Sequence, residues 1–177
     1  LGDANIVITN DLTVEEANDI DLLTTAVVTA SISSTVEITD LIDLTGSNNY
    51  TYVLPGGSPL TLTSLNEIID SISIAVDASG VTSLIGAYAD VLSLFNSPKV
   101  TGIADRDIDI TNDLTVEEAN DIDLLTTGVV TATIASSETV ETMKTLSGVN
   151  EYSITINAED ATSTTAADLN AINALTS

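Results

Sequence analysis

Apolar residues in this chain follow two alternating rhythms. Some stretches alternate at every second position. Val28, Ala30 and Ile32 interleave with Val27, Thr29 and Ser31, and Ile72, Ile74 and Val76 with Ser71, Ser73 and Ala75. Ile154 and Ile156 interleave in the same way with Ser153 and Thr155. A period of two with one polar face is the mark of a half-covered strand. On this basis strands are predicted at Ile6–Thr9, Val27–Ile32, Tyr50–Leu54, Ile72–Val76, Ile108–Thr111, Val129–Ile134 and Tyr152–Ile156. Lys99–Ala104 adds a short extended piece. Helix-like segments lie between them, near 14–24, 36–45, 64–70, 81–95, 116–126, 138–147 and 166–175.

Several helix starts carry recognisable end chemistry. Thr13–Glu16, Thr115–Glu118, Ser34–Glu37 and Ser64–Glu67 each place a hydroxyl three residues before a glutamate, the spacing of a capping box. Gly46 and Gly148 follow helix-like segments where left-handed C-terminal caps are expected. A sheet covered on both faces would need nearly continuous apolar strands. Here one face is mostly Ser, Thr and Asp. The expected fold is therefore an α/β repeat solenoid of short parallel strands alternating with short helices, with the helices on one face of the sheet.

Self-similarity supports that expectation. Ile8–Thr25 and Ile110–Thr127 both read ITNDLTVEEANDIDLLTT, 18 identical residues at an offset of 102. The match continues through Ile6/Ile108, Val28/Val130, Leu41/Met143 and Leu44/Leu146. Residues 1–102 read as a first super-repeat of about four strand–helix rungs and 103–177 as a truncated second, in one continuous array. Both ends read as cut from a longer polypeptide.

Charge narrows the partners. Twenty-seven acidic residues face three basic ones, Lys99, Arg106 and Lys144, for a net charge of −24. Such a surface repels nucleic-acid phosphates and anionic lipid, and no apolar run reaches the ~20 residues needed to span a bilayer. It also favours a saline or calcium-containing exterior. Cysteine and histidine are both absent, which removes thiolate and imidazole chemistry from the chain. Five aromatic residues leave the core to Ile, Leu, Val and Ala.

Ala75–Leu84 (AVDASGVTSL) followed by Ala89-Asp90-Val91, Leu124–Thr133 (LLTTGVVTAT) and Ala167–Ile172 (ADLNAI) together resemble a known kind of repeat. They are similar to Ala/Thr/Val/Asp-rich repeats of very large surface or secreted proteins of marine cyanobacteria, with related stretches in some bacteriophage structural proteins. The resemblance implies a structural or adhesive role and brings no catalytic residue with it.

Candidate sites are few. Asp105, Asp107 and Asp109 open like an EF-hand calcium loop, but Ile110 stands where that loop requires glycine and Val116 where it requires a bidentate glutamate. The matching positions of the first copy are Asp3, Asn5 and Val7. The three aspartates could hold Ca2+ at a strand edge, or simply form a solvated edge that discourages strand pairing. Asn10-Asp11 and Asn112-Asp113 read as turn formers. Glu15, Glu16, Asp19 and Asp21 share one short helix, where capping explains them better than glycosidic acid–base work. Thr29, Ser31, Ser71, Ser73, Thr131, Thr133, Ser153 and Thr155 would form hydroxyl rows able to meet a glycan or ice, interrupted at Tyr52 and Leu54 or at Val53, and at Asp107 and Asp109. The expected protein is a non-enzymatic structural or adhesive module, extracellular or at the cell surface. A virion fibre or neck appendage is the alternative. Its expected partners are neighbouring repeats of the same longer chain, further copies in self-assembly, or a glycan, with no nucleic acid and no membrane insertion.

Overall fold

Strands of two to five residues and helices of four to nine cannot persist alone. Each must bury its apolar side against the next. The computed structural model of the chain, which describes residues 4–176, shows how they do so. In chain order the elements are β1 (Ile6–Val7), α1 (Val14–Asp21), β2 (Val28–Ile32), β3 (Asn49–Val53), β4 (Leu60–Thr61), α2 (Leu65–Ser71), β5 (Ala75–Asp77) and β6 (Ser83–Gly86). There follow α3 (Tyr88–Asn96), β7 (Val100–Thr101), β8 (Asp107–Ile110), α4 (Val116–Asp123), β9 (Val130–Thr133), α5 (Val140–Met143), β10 (Glu151–Ser153) and α6 (Ala166–Asn173).

The chain is α/β, with two five-stranded sheets of parallel strands. One has the order β1-β2-β3-β5-β7 and the other β10-β9-β8-β6-β4. In the first, Ile6 lies opposite Val28, Thr29 opposite Asn49, Thr51 opposite Ala75 and Val76 opposite Val100. In the second, Leu60 lies opposite Leu84, Leu84 opposite Ile108, Ile108 opposite Val130 and Thr131 opposite Glu151. Neighbouring strands thus pair at separations of 20, 22 or 24 residues, the length a parallel crossover requires. The sheets belong to two compact units that interleave along the chain. The first holds residues up to Ser58 with Ser64–Val81 and Asn96–Ile103; the second holds Pro59–Thr63, Thr82–Phe95 and the chain from Ala104 onward.

Alternation along the strands is preserved. Val28, Ala30 and Ile32 are buried while Thr29 and Ser31 are exposed, and Tyr50 and Tyr52 are buried while Asn49, Thr51 and Val53 are exposed. Buried Leu, Ile and Val dominate the interior, joined by Met143 and by Tyr50, Tyr52 and Tyr152. Among the described residues no helix is long and apolar enough to cross a membrane.

Several expectations need correction. The strands read as one sheet, yet they form two, because β4 and β6 add strands that the pattern concealed. The predicted helix 81–95 is strand β6 followed by α3. The strand expected at Ile72–Val76 begins at Ala75, and Ser71 ends α2 with its hydroxyl on the Ile68 carbonyl at 2.8 Å. Thr13 and Thr115 do form capping boxes, whereas Ser34 and Ser64 make none. Residues Ile38–Asp43 are a 3₁₀ turn entered through Glu37 without a side-chain cap, and Ser64 precedes α2 uncapped. Thr165 and Asp168 supply an unforeseen capping box on α6, with aspartate in the glutamate position. Gly46 and Gly148 are left-handed, with φ of 74° and 70°, but they lie beyond the actual cap residues Leu44 and Lys144. A β-carbon on either glycine would strike the carboxylate of Asp21 or Asp123.

Candidate functional site: an acidic edge, a hydroxyl face and a repeated clasp

The three aspartates proposed for calcium take different partners. Asp105 forms an ion pair with Arg106 at 2.9 Å. Asp107, at the start of β8, accepts the Val129 N–H at 2.8 Å. Asp109 is exposed on the same strand, opposite Ile85 on one side and Thr131 on the other. Asp107 and Asp109 therefore share a strand face, as their spacing requires. Among the described residues no group of three or more acidic side chains is placed to hold a metal ion. The comparison position Asp3 lies outside the described residues.

Two of the other candidate acids accept local bonds. Glu16 and Glu118 close the two capping boxes, taking the Thr13 and Thr115 N–H groups at 2.9 and 2.8 Å. Glu15 and Asp19 are exposed. Asn112 reaches beyond its own turn. It donates to the Asp113 carbonyl and accepts the Tyr88 N–H at 2.9 Å, so it also caps the start of α3, 24 residues earlier. A concavity of about 450 Å³ is lined by Thr115, Glu117, Asn120, Asp121, Glu138 and Thr142, among others. Two of its acids are already engaged, Asp121 by the Tyr88 hydroxyl and Glu138 by the Val116 N–H and the Thr142 hydroxyl.

The hydroxyl rows are divided between the sheets. In the first, Val7, Thr29 and Asn49 lie side by side, then Ser31, Thr51 and Ala75, then Val53, Asp77 and Thr101. Asp77 is the single carboxylate among these nine outward positions. The Ser79 N–H, at 2.8 Å, holds its carboxyl below the ordinary aspartate range. In the second sheet the corresponding row runs Thr61, Ile85, Asp109, Thr131, Glu151 and is acidic. Ser71 and Ser73 precede the strand and belong to neither row.

What the pattern did not suggest is a set of bonds made twice. The Asn18 carboxamide accepts the Thr45 N–H at 2.9 Å and donates to the Asp43 carbonyl at 2.9 Å. Asp21 accepts from Thr45 Oγ1 at 3.1 Å and from Asn48 Nδ2 at 2.8 Å, and Asn48 Oδ1 accepts the Val28 N–H at 2.9 Å. One hundred and two residues later, Asn120 accepts the Ser147 N–H at 2.7 Å and donates to the Thr145 carbonyl at 3.0 Å. Asp123 takes Ser147 Oγ at 2.8 Å and Asn150 Nδ2 at 2.7 Å, and Asn150 Oδ1 takes the Val130 N–H at 2.9 Å. Tyr50 and Tyr152 finish each clasp by donating to the carbonyls of Ala17 and Ala119. Burial, with the charge of Asp123 nearby, pushes the Tyr152 phenol up to about 12, and Tyr50 is raised by burial and Asp21 in the same sense. The signal that would have revealed the clasp is Asn48/Asn150. This identity keeps the 102-residue register outside the duplicated block.

No known protein family, curated protein or solved structure matches the chain.

Proposed function

We propose that this chain is a non-enzymatic structural and adhesive repeat module, an α/β solenoid, from a long extracellular surface, matrix or appendage protein. The observation that carries the reading is the clasp. Its Asn and Asp side-chain bonds join residues 24 to 27 positions apart, the bonds to the strand-opening Val28 and Val130 amides span 20, and the tyrosine bonds span 33. Each rung is held by its sequence neighbour, the condition for a stack whose length can change without loss of fold. The charge of −24 keeps such a stack soluble and makes it responsive to salt.

Residues 75–98 form one full period, because Thr51 faces Ala75 and Thr61 faces Ile85, each 24 residues on. Excising these residues should leave both sheets in register and give a shorter chain that melts in one cooperative transition. A comparable excision of half that length should not fold. An unfolded or molten 75–98 deletion would sink the reading. The adhesive part rests on the first sheet's outward face, nearly free of carboxylate on so acidic a chain. Hydroxyl and carboxamide groups there suit a neutral glycan, and binding on a glycan array should disappear with Thr51→Arg. An array on which the wild-type chain gives no signal removes the adhesive half.

A further inference from the structure

We propose that the concavity at the carboxyl ends of β2 and β3 is a carbohydrate subsite, which grips one neutral pyranose ring through a pair of adjacent hydroxyls. The proposal rests on the adhesive reading of the first sheet's outward face, and it names the chemistry recognised there.

The strand register builds the recess. Leu12 pairs with Ile32, the Leu12 N–H meeting the Ser31 carbonyl at 2.9 Å and the Ser33 N–H the Leu12 carbonyl at 2.8 Å. Asp11 therefore comes level with Ser31, which lies opposite Thr51 on its other side. Beyond β3 and β5 the Gly57 N–H meets the Gly80 carbonyl at 3.0 Å. Gly56 packs so close that a β-carbon on it would lie 2.7 Å from that same oxygen. This wall of bare main chain and Asp11 bound a space of about 360 Å³, which Ser34, Val53 and Pro55 also line. The strands that contribute to it, β2 and β3, each have a neighbour on both sides, and all of it lies in the first unit.

The polar groups of the recess are uncommitted. Among the described residues the Asp11 carboxylate and the hydroxyls of Ser31 and Ser34 make no hydrogen bond, whereas Ser79 gives its N–H to Asp77. One carboxylate beside two hydroxyls offers acceptors and donors together. A diol gives and takes hydrogen bonds and so uses both kinds; an ammonium group only donates. Each carboxylate oxygen can take one hydroxyl proton in a short, charge-assisted bond. Val53, which is 46% exposed, and the exposed Pro55 supply an apolar surface for the C–H face of the ring. An apolar wall with a few placed polar groups is the make-up of small-ligand sites, which run from roughly 300 to 1,000 Å³. The net charge of −24 repels sulfated and carboxylated sugars.

The second copy lacks the full set. Asp113, Thr133 and Ser136 keep the polar groups, but Thr155 and Asn157 stand where Val53 and Pro55 form the apolar side. Asn157 is also spent, since it donates to the Glu138 carbonyl at 3.3 Å and to the Asp160 carboxylate at 3.2 Å. The duplicated block thus places the carboxylate in both copies, and the residues that follow β3 decide which copy holds a sugar.

The test is saturation-transfer NMR with the methyl pyranosides of glucose, galactose, mannose and fucose, run beside the glycan array. At least one pyranoside should give a saturable signal that persists at about 0.5 M salt, where screening shortens to roughly 4 Å. Asp11→Asn removes the charge-assisted bonds and should weaken that binding about tenfold. Asp113→Asn, the same change at the matching turn of the second copy, should leave it at the wild-type level. Ser34→Tyr, which fills the recess, should abolish the signal while the circular dichroism stays that of wild type, and this readout does not depend on how Asp11→Asn folds. A wild-type chain that binds none of the four, a signal that high salt abolishes, or equal effects of Asp11→Asn and Asp113→Asn overturns the proposal. Array binding that is lost with Thr51→Arg but untouched by Asp11→Asn would leave the adhesive reading standing and remove only this subsite. A silent array with silent pyranosides removes both.

Discussion

Ile8–Thr25 and Ile110–Thr127 share one sequence and occupy two settings. Among the described residues the first copy has a neighbour for β1 on one side, β2; the second sits where β8 lies between β6 and β9. Leu12 is 7% exposed and Leu114 0%; Val14 and Ile20 are half-buried, while Val116 is 5% exposed and Ile122 0%. The polar bonds barely change. Both capping boxes close at 3.2 Å between the threonine hydroxyl and the glutamate N–H, and both clasps use Asn, Asp and Asn in the same order. The capping boxes and the clasp bonds are therefore written into the duplicated sequence itself. Burial is supplied by whatever stands alongside.

This contrast can be broken most directly at Ile122. Truncation to alanine there should cost about 3 kcal/mol, whereas the same change at Ile20, already partly in water, should cost about 1 kcal/mol. Urea unfolding of the two variants measures both, and equal losses would show that the first copy is covered after all. Next come the clasp residues. Asn150 is 2% exposed, and Asn150→Ala leaves the Val130 N–H and the Asp123 carboxylate short of a partner, at about 2 kcal/mol. Asn48→Ala, where water can replace the lost bonds, should cost about 1 kcal/mol by the same reasoning. A larger loss at Asn48 would place the stronger clasp in the first copy.

The smallest effect is alkaline. Tyr152 is raised in the folded chain from the ordinary 10.0 to about 12. Its contribution is therefore fully present below about pH 10 and is lost as pH rises from there through about 12. Tyr152→Phe should flatten the fall in melting temperature across that window. An unchanged slope would place the alkaline sensitivity elsewhere.

Local chemistry was legible in the sequence wherever one residue and its near neighbours decide the outcome. Thr13 and Thr115 cap as their spacing indicates, and the alternation of Val28, Ala30 and Ile32 emerges as burial. The misreadings arose where partners lie more than twenty residues away. Val81, Leu84, Val91 and Leu94 fit a helical stripe, yet the first two belong to a turn and to β6. The distinguishing residue was Gly86, placed where a β-carbon would come within 2.9 Å of the Leu62 β-carbon. Glycine inside an apparent helix is a warning of close backbone approach, but the approaching leucine is 24 residues away. The same distance hid β4, whose two residues gain meaning only from Leu84 and Ile85 beside them. For the candidate sites, residue type placed Asp107 and Asp109 on one strand. It could not show that Asp105 would turn to Arg106 and Asp107 to the Val129 amide.

Lys99 ties two of these weak elements into one event. Its ammonium group donates to the carbonyls of Ile69, Asp70 and Ile72, at 2.8, 3.0 and 2.6 Å, where the dipole of α2 is most negative. The next residue, Val100, opens β7 opposite Val76. The last turn of α2 therefore cannot fray without loosening the point at which the following strand joins its sheet. A seven-residue helix and a two-residue strand, each too short to survive alone, open and close together around a single positive charge.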